Sequence, residues 1–167
     1  MKMMAIRILH NTQGGTRLLE FLNLVTDFKS NTTIKIPSNI ISANKTIPQK
    51  DRILIIDTGA DKTAIAKEVL RKNGYEFFEK SGINKNTASG VAEFFTCTIN
   101  GIIIANQFKF GLMKVDVLEN WKSQTVVGVI GMDILTKMTF ILSHEYGKFL
   151  LTDHKIPEIG NLFHKTI

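Results

Sequence analysis

Residue type and spacing point to chemistry at Asp57-Thr58-Gly59-Ala60. An apolar run, Ile53, Leu54, Ile55 and Ile56, delivers an acid, a hydroxyl and a glycine at its end. A short buried strand of this kind fixes the backbone and presents the acid where the strand stops. The glycine leaves room for a tight turn or a close approach. A carboxylate mounted in this way can serve as a general acid or base. The plainer alternative is a turn after a strand, because Asp, Thr and Gly are ordinary turn residues.

The elements that must position this acid read as many short strands with two brief helices. Residues 1–31 form an extension in which Leu18, Leu19, Phe21, Leu22, Leu24 and Val25 predict a short helix after Gly14-Gly15, capped by Thr16. The Gly pair lacks the Lys-Ser/Thr of a phosphate loop. Thr33 to Ile36 alternate like a strand, which Pro37 is expected to end, and residues 37–50 read as a loop. A returning strand at 52–56 carries the acid. Residues 64–72 have a helix-friendly composition, closed by Asn73-Gly74 as a C-cap. A polar stretch at 80–86 leads to Thr87-Ala88-Ser89-Gly90. The β-rich run 91–104 is broken by Asn100-Gly101, a strong hairpin signal.

Another strand starts at Phe108 and continues towards Val117, and a loop at 118–124 holds the lone Trp121. Residues 126–130 predict an apolar strand, Gly131 a stop, and residues 132–138 a short helix. A closing hairpin pairs 139–142 with 148–151 around Glu145-Tyr146-Gly147. This pattern predicts a mostly β, closed barrel-like domain. One internal echo stands out. Leu54-Ile55-Ile56-Asp57-Thr58-Gly59 and Val129-Ile130-Gly131 are both apolar strands that stop at a glycine before a helix, and the second lacks the acid.

A chain of 167 residues with 44% hydrophobic content and three Pro suits one domain with a real core. Cys97 is the single cysteine, so no intramolecular disulfide forms; a reducing, cytoplasmic location is expected. No apolar stretch approaches the roughly 20 residues that span a bilayer. The net charge of +6 is spread from Lys2 to Lys165 without a dense cluster, which reads as a solvated basic surface rather than a nucleic-acid site. His10, His144, His154 and His164 contain no His-x-x-x-His pair, so no metal site is expected. No Gly-x-Ser-x-Gly elbow surrounds Ser89, and Cys97 in an apolar strand reads as core rather than nucleophile. The eleven Phe read as core and groove lining.

Taken together, three segments in order resemble the retropepsin-like aspartic proteases, the single-domain relatives of pepsin found in retroviruses and bacteria. They are Asp57-Thr58-Gly59-Ala60, Thr87-Ala88-Ser89-Gly90, and Val129-Ile130-Gly131-Met132-Asp133. The resemblance covers residues 32–152 and leaves 1–31 and 153–167 as an extension and a tail. It implies a retropepsin fold with a flap hairpin. It implies that Asp57 is the catalytic carboxylate, that Thr58 locks two active-site loops of a dimer together, and that Gly59 admits the substrate backbone. Ala60, Asp61, Ala88, Ser89 and Gly90 would line the substrate, Gly131 would let the last inner strand pass close beneath the active-site loop, and Asp133 would be structural. Met132 stands where retroviral members usually carry Arg, and the flap holds fewer glycines than theirs.

Peptide hydrolysis by carboxylates needs two of them sharing one proton, one as base and one as acid. The chain has a single Asp-Thr-Gly. The second acid is therefore expected from a second copy of the chain across a two-fold axis, with a polypeptide as substrate and no cofactor. The same residues also fit a catalytically silent retropepsin-like domain that binds peptides or mediates dimerisation.

Overall fold

The computed structural model describes residues 2–12, 15–27, 33–48, 50–87, 90–143 and 148–153. In chain order the strands are β1 (Lys2–Thr12), β2 (Gly15–Asp27), β3 (Lys35–Ile40), β4 (Arg52–Ile56) and β5 (Ala64–Ala66), followed by helix α1 (Lys67–Lys72). Strands β6 (Glu79–Thr87), β7 (Gly90–Ile99), β8 (Ile102–Ile104), β9 (Phe108–Phe110), β10 (Met113–Leu118) and β11 (Val126–Ile130) come next. Helix α2 (Met132–Leu135), β12 (Thr139–Ser143) and β13 (Lys148–Thr152) complete the order. The chain divides into two compact units, Thr33–Ile134 and the terminal pieces Met1–Thr32 with Leu135–Ile167.

The terminal unit is a four-stranded sheet in the order β1-β2-β13-β12. The segment expected as a helix, Leu18 to Val25, lies inside strand β2. Its apolar residues fall on both alternate sets of positions, a pattern that serves a strand covered on both faces as well as a helix. Lateral partners decide between the two. β2 pairs in register with β1, from Lys2↔Val25 to Thr12↔Gly15, and with β13 through Leu24↔Leu151 and Val25↔Leu150. The β12–β13 hairpin forms where the sequence places it, with Thr139 opposite Thr152, and its turn at 144–147 lies outside the described residues. Phe140 and Phe149 stack with ring centroids 6.5 Å apart.

The unit Thr33–Ile134 is built on a nine-stranded sheet in the order β6-β7-β10-β5-β11-β4-β3-β8-β9. The mostly β architecture with two short helices matches the expectation. Among the described residues the pairing runs from β6 to β9 without joining them, so the sheet is not hydrogen-bonded into the closed barrel expected. Its core is aliphatic: Ile36, Leu54, Ile65, Leu70, Ile99, Ile102, Ile104, Ile130 and Ile134 are all fully buried. Each such side chain stabilises the fold by about 1.5–3 kcal/mol relative to exposure.

Two local expectations are corrected. Pro37 does not end its strand; it lies within β3, opposite Ile53. Ile56 N–H bonds to Ile34 O, so alternation makes Pro37 a non-bonded position towards β4 and turns its missing N–H towards β8. There the ladder ends, and the Pro37 carbonyl accepts the Ala105 N–H at 2.7 Å. Asn100-Gly101 is not a hairpin turn, because β7 pairs with β6 and β10 while β8 pairs with β3 and β9. The pair is a corner at which the chain changes neighbours. Gly101 has φ +137°, and a methyl group there would sit 2.1 Å from the Phe110 carbonyl oxygen. The polar stretch at 80–86 is strand β6, which forms a hairpin with β7 closed by Thr87↔Gly90.

Helix α1 is shorter than its composition suggests, because Ala64 to Ala66 are taken into the sheet as β5. Its C-cap is Asn73, as expected, with Gly74 N–H bonded to Arg71 O. Among the described residues no helix is long and apolar enough to cross a membrane.

Candidate active site

The internal echo seen in the sequence becomes a pair of neighbours in the sheet. β4 and β11 run parallel, with Ile55 opposite Val129 and Ile56 opposite Ile130. Both strands therefore stop at the same level, Asp57 beyond one and Gly131 beyond the other. Asp57 N–H bonds across to Ile130 O at 3.1 Å. The acid sits at the end of two apolar strands, half-buried.

The loop that follows folds back on its own acid. Gly59 N–H donates to Asp57 Oδ1 at 2.9 Å, and Ala60 N–H to the Asp57 carbonyl at 3.3 Å. The first bond fixes the rotation of the carboxylate and leaves Oδ2 outside it. Thr58, Gly59 and Asp61 are exposed, and Ala60 is half-buried. These five predicted site residues are thus brought together on one loop.

That loop rests on the segment beyond β11. Met132 N–H donates to Ala60 O at 2.8 Å and Asp133 N–H to Asp61 O at 3.1 Å. A methyl group added to Gly131 would lie 2.3 Å from the Lys62 carbonyl carbon, and one added to Gly128 would lie 2.1 Å from Ala64 O. Only glycine permits this approach of backbone to backbone. The two glycines that interrupt Val126–Ile130 and its exit are what let the strand pass against residues 62–65.

Two polar residues that the sequence reading did not connect complete the support. Thr63 donates its backbone N–H at 2.9 Å and its hydroxyl at 2.7 Å to Asp133 Oδ1. Its hydroxyl oxygen in turn accepts the Gly131 N–H at 3.2 Å, and its carbonyl accepts the Asp116 N–H at 3.0 Å. Thr63 and Asp133 are 70 residues apart, so no local pattern links them. The one available signal was the alternation of Thr63 with Ile65, which places both on one face of a strand.

Of the predicted flap residues, Gly90 lies opposite Thr87 at the tip of the β6–β7 hairpin. Ala88 and Ser89 are outside the described residues. The hairpin is not joined to β4 by strand pairing, because β10, β5 and β11 lie between them in the sheet order. Its base is anchored: Lys114 pairs with Glu79, and Lys67 Nζ lies 5.5 Å from the Phe78 ring centroid and 5.4 Å from that of Phe95. A register shift in β6 separates this base from the tip, between Lys80 and Asn84.

Cys97 is buried, and that burial pushes its thiol up, with Glu79 adding in the same direction. Such a thiol is a poor nucleophile. Among the described residues no group of three His, Cys, Asp or Glu is placed to hold a metal ion.

The chain superposes on a retropepsin-like aspartic protease from Rickettsia conorii with a TM-score of 0.54. The identity is 19%, over 77% of this chain and 89% of that one. It also superposes on EIAV protease, solved as a complex with the inhibitor HBY-793, with a TM-score of 0.50 and 16% identity, over 66% of this chain and 92% of the other. Identities this low speak for the fold, which is that of the retropepsin-like proteases. No curated protein matches the sequence. Residues 43–137, more than half of the chain and the whole path from the loop before β4 to the end of α2, match the family described as gag-polyprotein putative aspartyl protease, and the chain belongs to that family.

Proposed function

We propose that the chain is an aspartic endopeptidase that works as a homodimer. One observation carries the reading: the Asp57 carboxylate is aimed by the Gly59 N–H at the common end of two parallel strands, on a loop whose neighbouring residues are exposed. A two-fold axis beside this loop would set a second Asp57 against the first. The pair then holds one proton between them. The ionised member takes a proton from a water molecule, and the protonated member gives its own to the carbonyl oxygen as the gem-diol forms. Collapse of the diol passes a proton to the departing amine and breaks the C–N bond.

In this reading Thr58 joins the two loops across the axis. Ala60, Asp61, Ala88, Ser89 and Gly90 hold the substrate backbone. The proposed peptidase domain spans residues 32–152, flanked by 1–31 and 153–167. A buried, unpaired Cys97 fits the cytoplasmic location proposed with it.

The test is hydrolysis of an unfolded protein from acidic to neutral pH, with and without a transition-state-mimicking aspartic protease inhibitor. Asp57→Asn is measured beside the wild type, and oligomeric state is followed by sedimentation. Inhibitor-sensitive cleavage by a dimer, lost in Asp57→Asn with the dimer intact, is expected. Cleavage that survives Asp57→Asn, or that comes from a strict monomer, overturns the mechanism. A folded dimer that cleaves nothing favours the silent peptide-binding reading.

A further inference from the structure

We propose that Thr63 and Asp133 form a clamp that positions Asp57, with the Asp133 carboxylate used as a hydrogen-bond acceptor rather than as an acid or a charge. The proposal rests on the peptidase reading and adds two positioning residues to it.

Four links tie the loop 57–63 to the segment 130–133. Three run from backbone to backbone: Asp57 to Ile130, Met132 to Ala60 and Asp133 to Asp61. These persist in any sequence that follows the same path. The fourth is made by side chains, and it closes the far end of the loop. Asp133 Oδ1 receives both the N–H and the hydroxyl of Thr63, and Thr63 Oγ1 receives the Gly131 N–H. Asp57 is therefore held at the start of its loop by Ile130 and at the end by Asp133.

Thr63 is fully buried, so it lies out of reach of a substrate. A buried hydroxyl and N–H need an acceptor. Removing Asp133 leaves both without the one they use, and the loop gains by shifting until they meet water. Catalytic groups have to be held to about 0.5 Å, and a shift of about 1 Å costs on the order of 100-fold in rate. Both donors converge on a single oxygen, so an amide oxygen at the same place should serve as well as a carboxylate oxygen. That separates a role in geometry from a role in charge.

The experiment measures kcat and KM for Asp133→Ala, Asp133→Asn, Thr63→Val and Thr63→Ser, each first checked for fold and dimer by circular dichroism and sedimentation. Asp133→Ala and Thr63→Val are expected to lower kcat by about 10–100-fold with KM changed by no more than about 3-fold. Asp133→Asn and Thr63→Ser are expected to restore most of the loss. Combining Asp133→Ala with Thr63→Val should cost no more than either alone, because both break one link. A folded Asp133→Ala enzyme with wild-type kcat overturns the clamp. If Asp133→Ala does not fold, Asp133→Asn decides: a tenfold or greater loss of kcat in that variant overturns the acceptor role. A wild-type protein that hydrolyses nothing removes the peptidase reading and the clamp with it, whereas an active wild type beside an unimpaired Asp133→Ala removes the clamp alone.

Discussion

Gly131 passes the backbone of Lys62 so closely that a single added methyl group would stand 2.3 Å from the Lys62 carbonyl carbon. The contact is backbone against backbone, so neither side can yield by rotating a side chain. Gly131→Ala is expected to destabilise the fold by about 3 kcal/mol, as overpacking of a rigid core does. Gly128→Ala, facing Ala64 O at 2.1 Å, should behave in the same way. Gly111→Ala is the control, because nothing lies within 4 Å of the position a methyl group would take; it should stay within about 0.5 kcal/mol. Urea unfolding of the three variants measures the contrast, and equal losses at all three would contradict it.

The proposed sharing of one active site between two chains would make activity depend on pairing. Wild type mixed with an equal amount of Asp57→Asn, and allowed to exchange subunits, should retain about one quarter of the dimers as intact wild-type pairs. Activity per total protein then falls to about a quarter of the pure wild-type value. A fall to one half would mean that each chain works alone.

Tyr75 joins two parts of the unit Thr33–Ile134. Its hydroxyl donates to Ile41 O at 2.6 Å and accepts the Asn100 N–H at 2.8 Å. Tyr75→Phe deletes one acceptor and one donor in a partly buried setting. The expected loss is about 1–3 kcal/mol, read as a lower unfolding midpoint with an unchanged denaturant slope.

Alkaline pH should weaken the fold through two groups. Burial pushes up both the Cys97 thiol and the Tyr75 phenol, so each holds its proton more tightly folded than unfolded. The associated stability is complete below the ordinary values of 9.0 and 10.0, and it is lost as the pH rises through the higher folded values. The urea midpoint is therefore expected to decline from about pH 9 upward, and Cys97→Ala should remove the earlier part of that decline. A midpoint that climbs over the same range would contradict the assignment.

Much of the candidate site was legible in the sequence because local chemistry writes it. Four apolar residues before Asp57, three of them β-branched, favour a strand, and Asp-Thr-Gly favours a turn after it. The same holds for the strand Val126–Ile130, the hairpin of β12 and β13, and the Asn73 cap of α1. The echo between Ile56-Asp57 and Ile130-Gly131 also lay in the sequence. Its meaning, two parallel strands stopping side by side, did not.

Where local signals were ambiguous or overridden, long-range pairing decided. Leu18 to Val25 satisfy helix and strand periodicity alike, and the partners β1 and β13 make them a strand. Asn100-Gly101 carries a hairpin signal, yet β8 finds β3 and β9 rather than β7, so the turn became a corner. Pro37 carries a strand-ending signal, yet its missing N–H falls where the β8 ladder stops. The sequence alone therefore determined how the strand and turn that carry Asp57 are made, because those depend on neighbours a few positions away. Only the tertiary structure decided what holds the acid in place. The Thr63–Asp133 bonds and the Gly131–Lys62 approach join residues about 70 positions apart, and such contacts exist only after the chain has closed the loop between them.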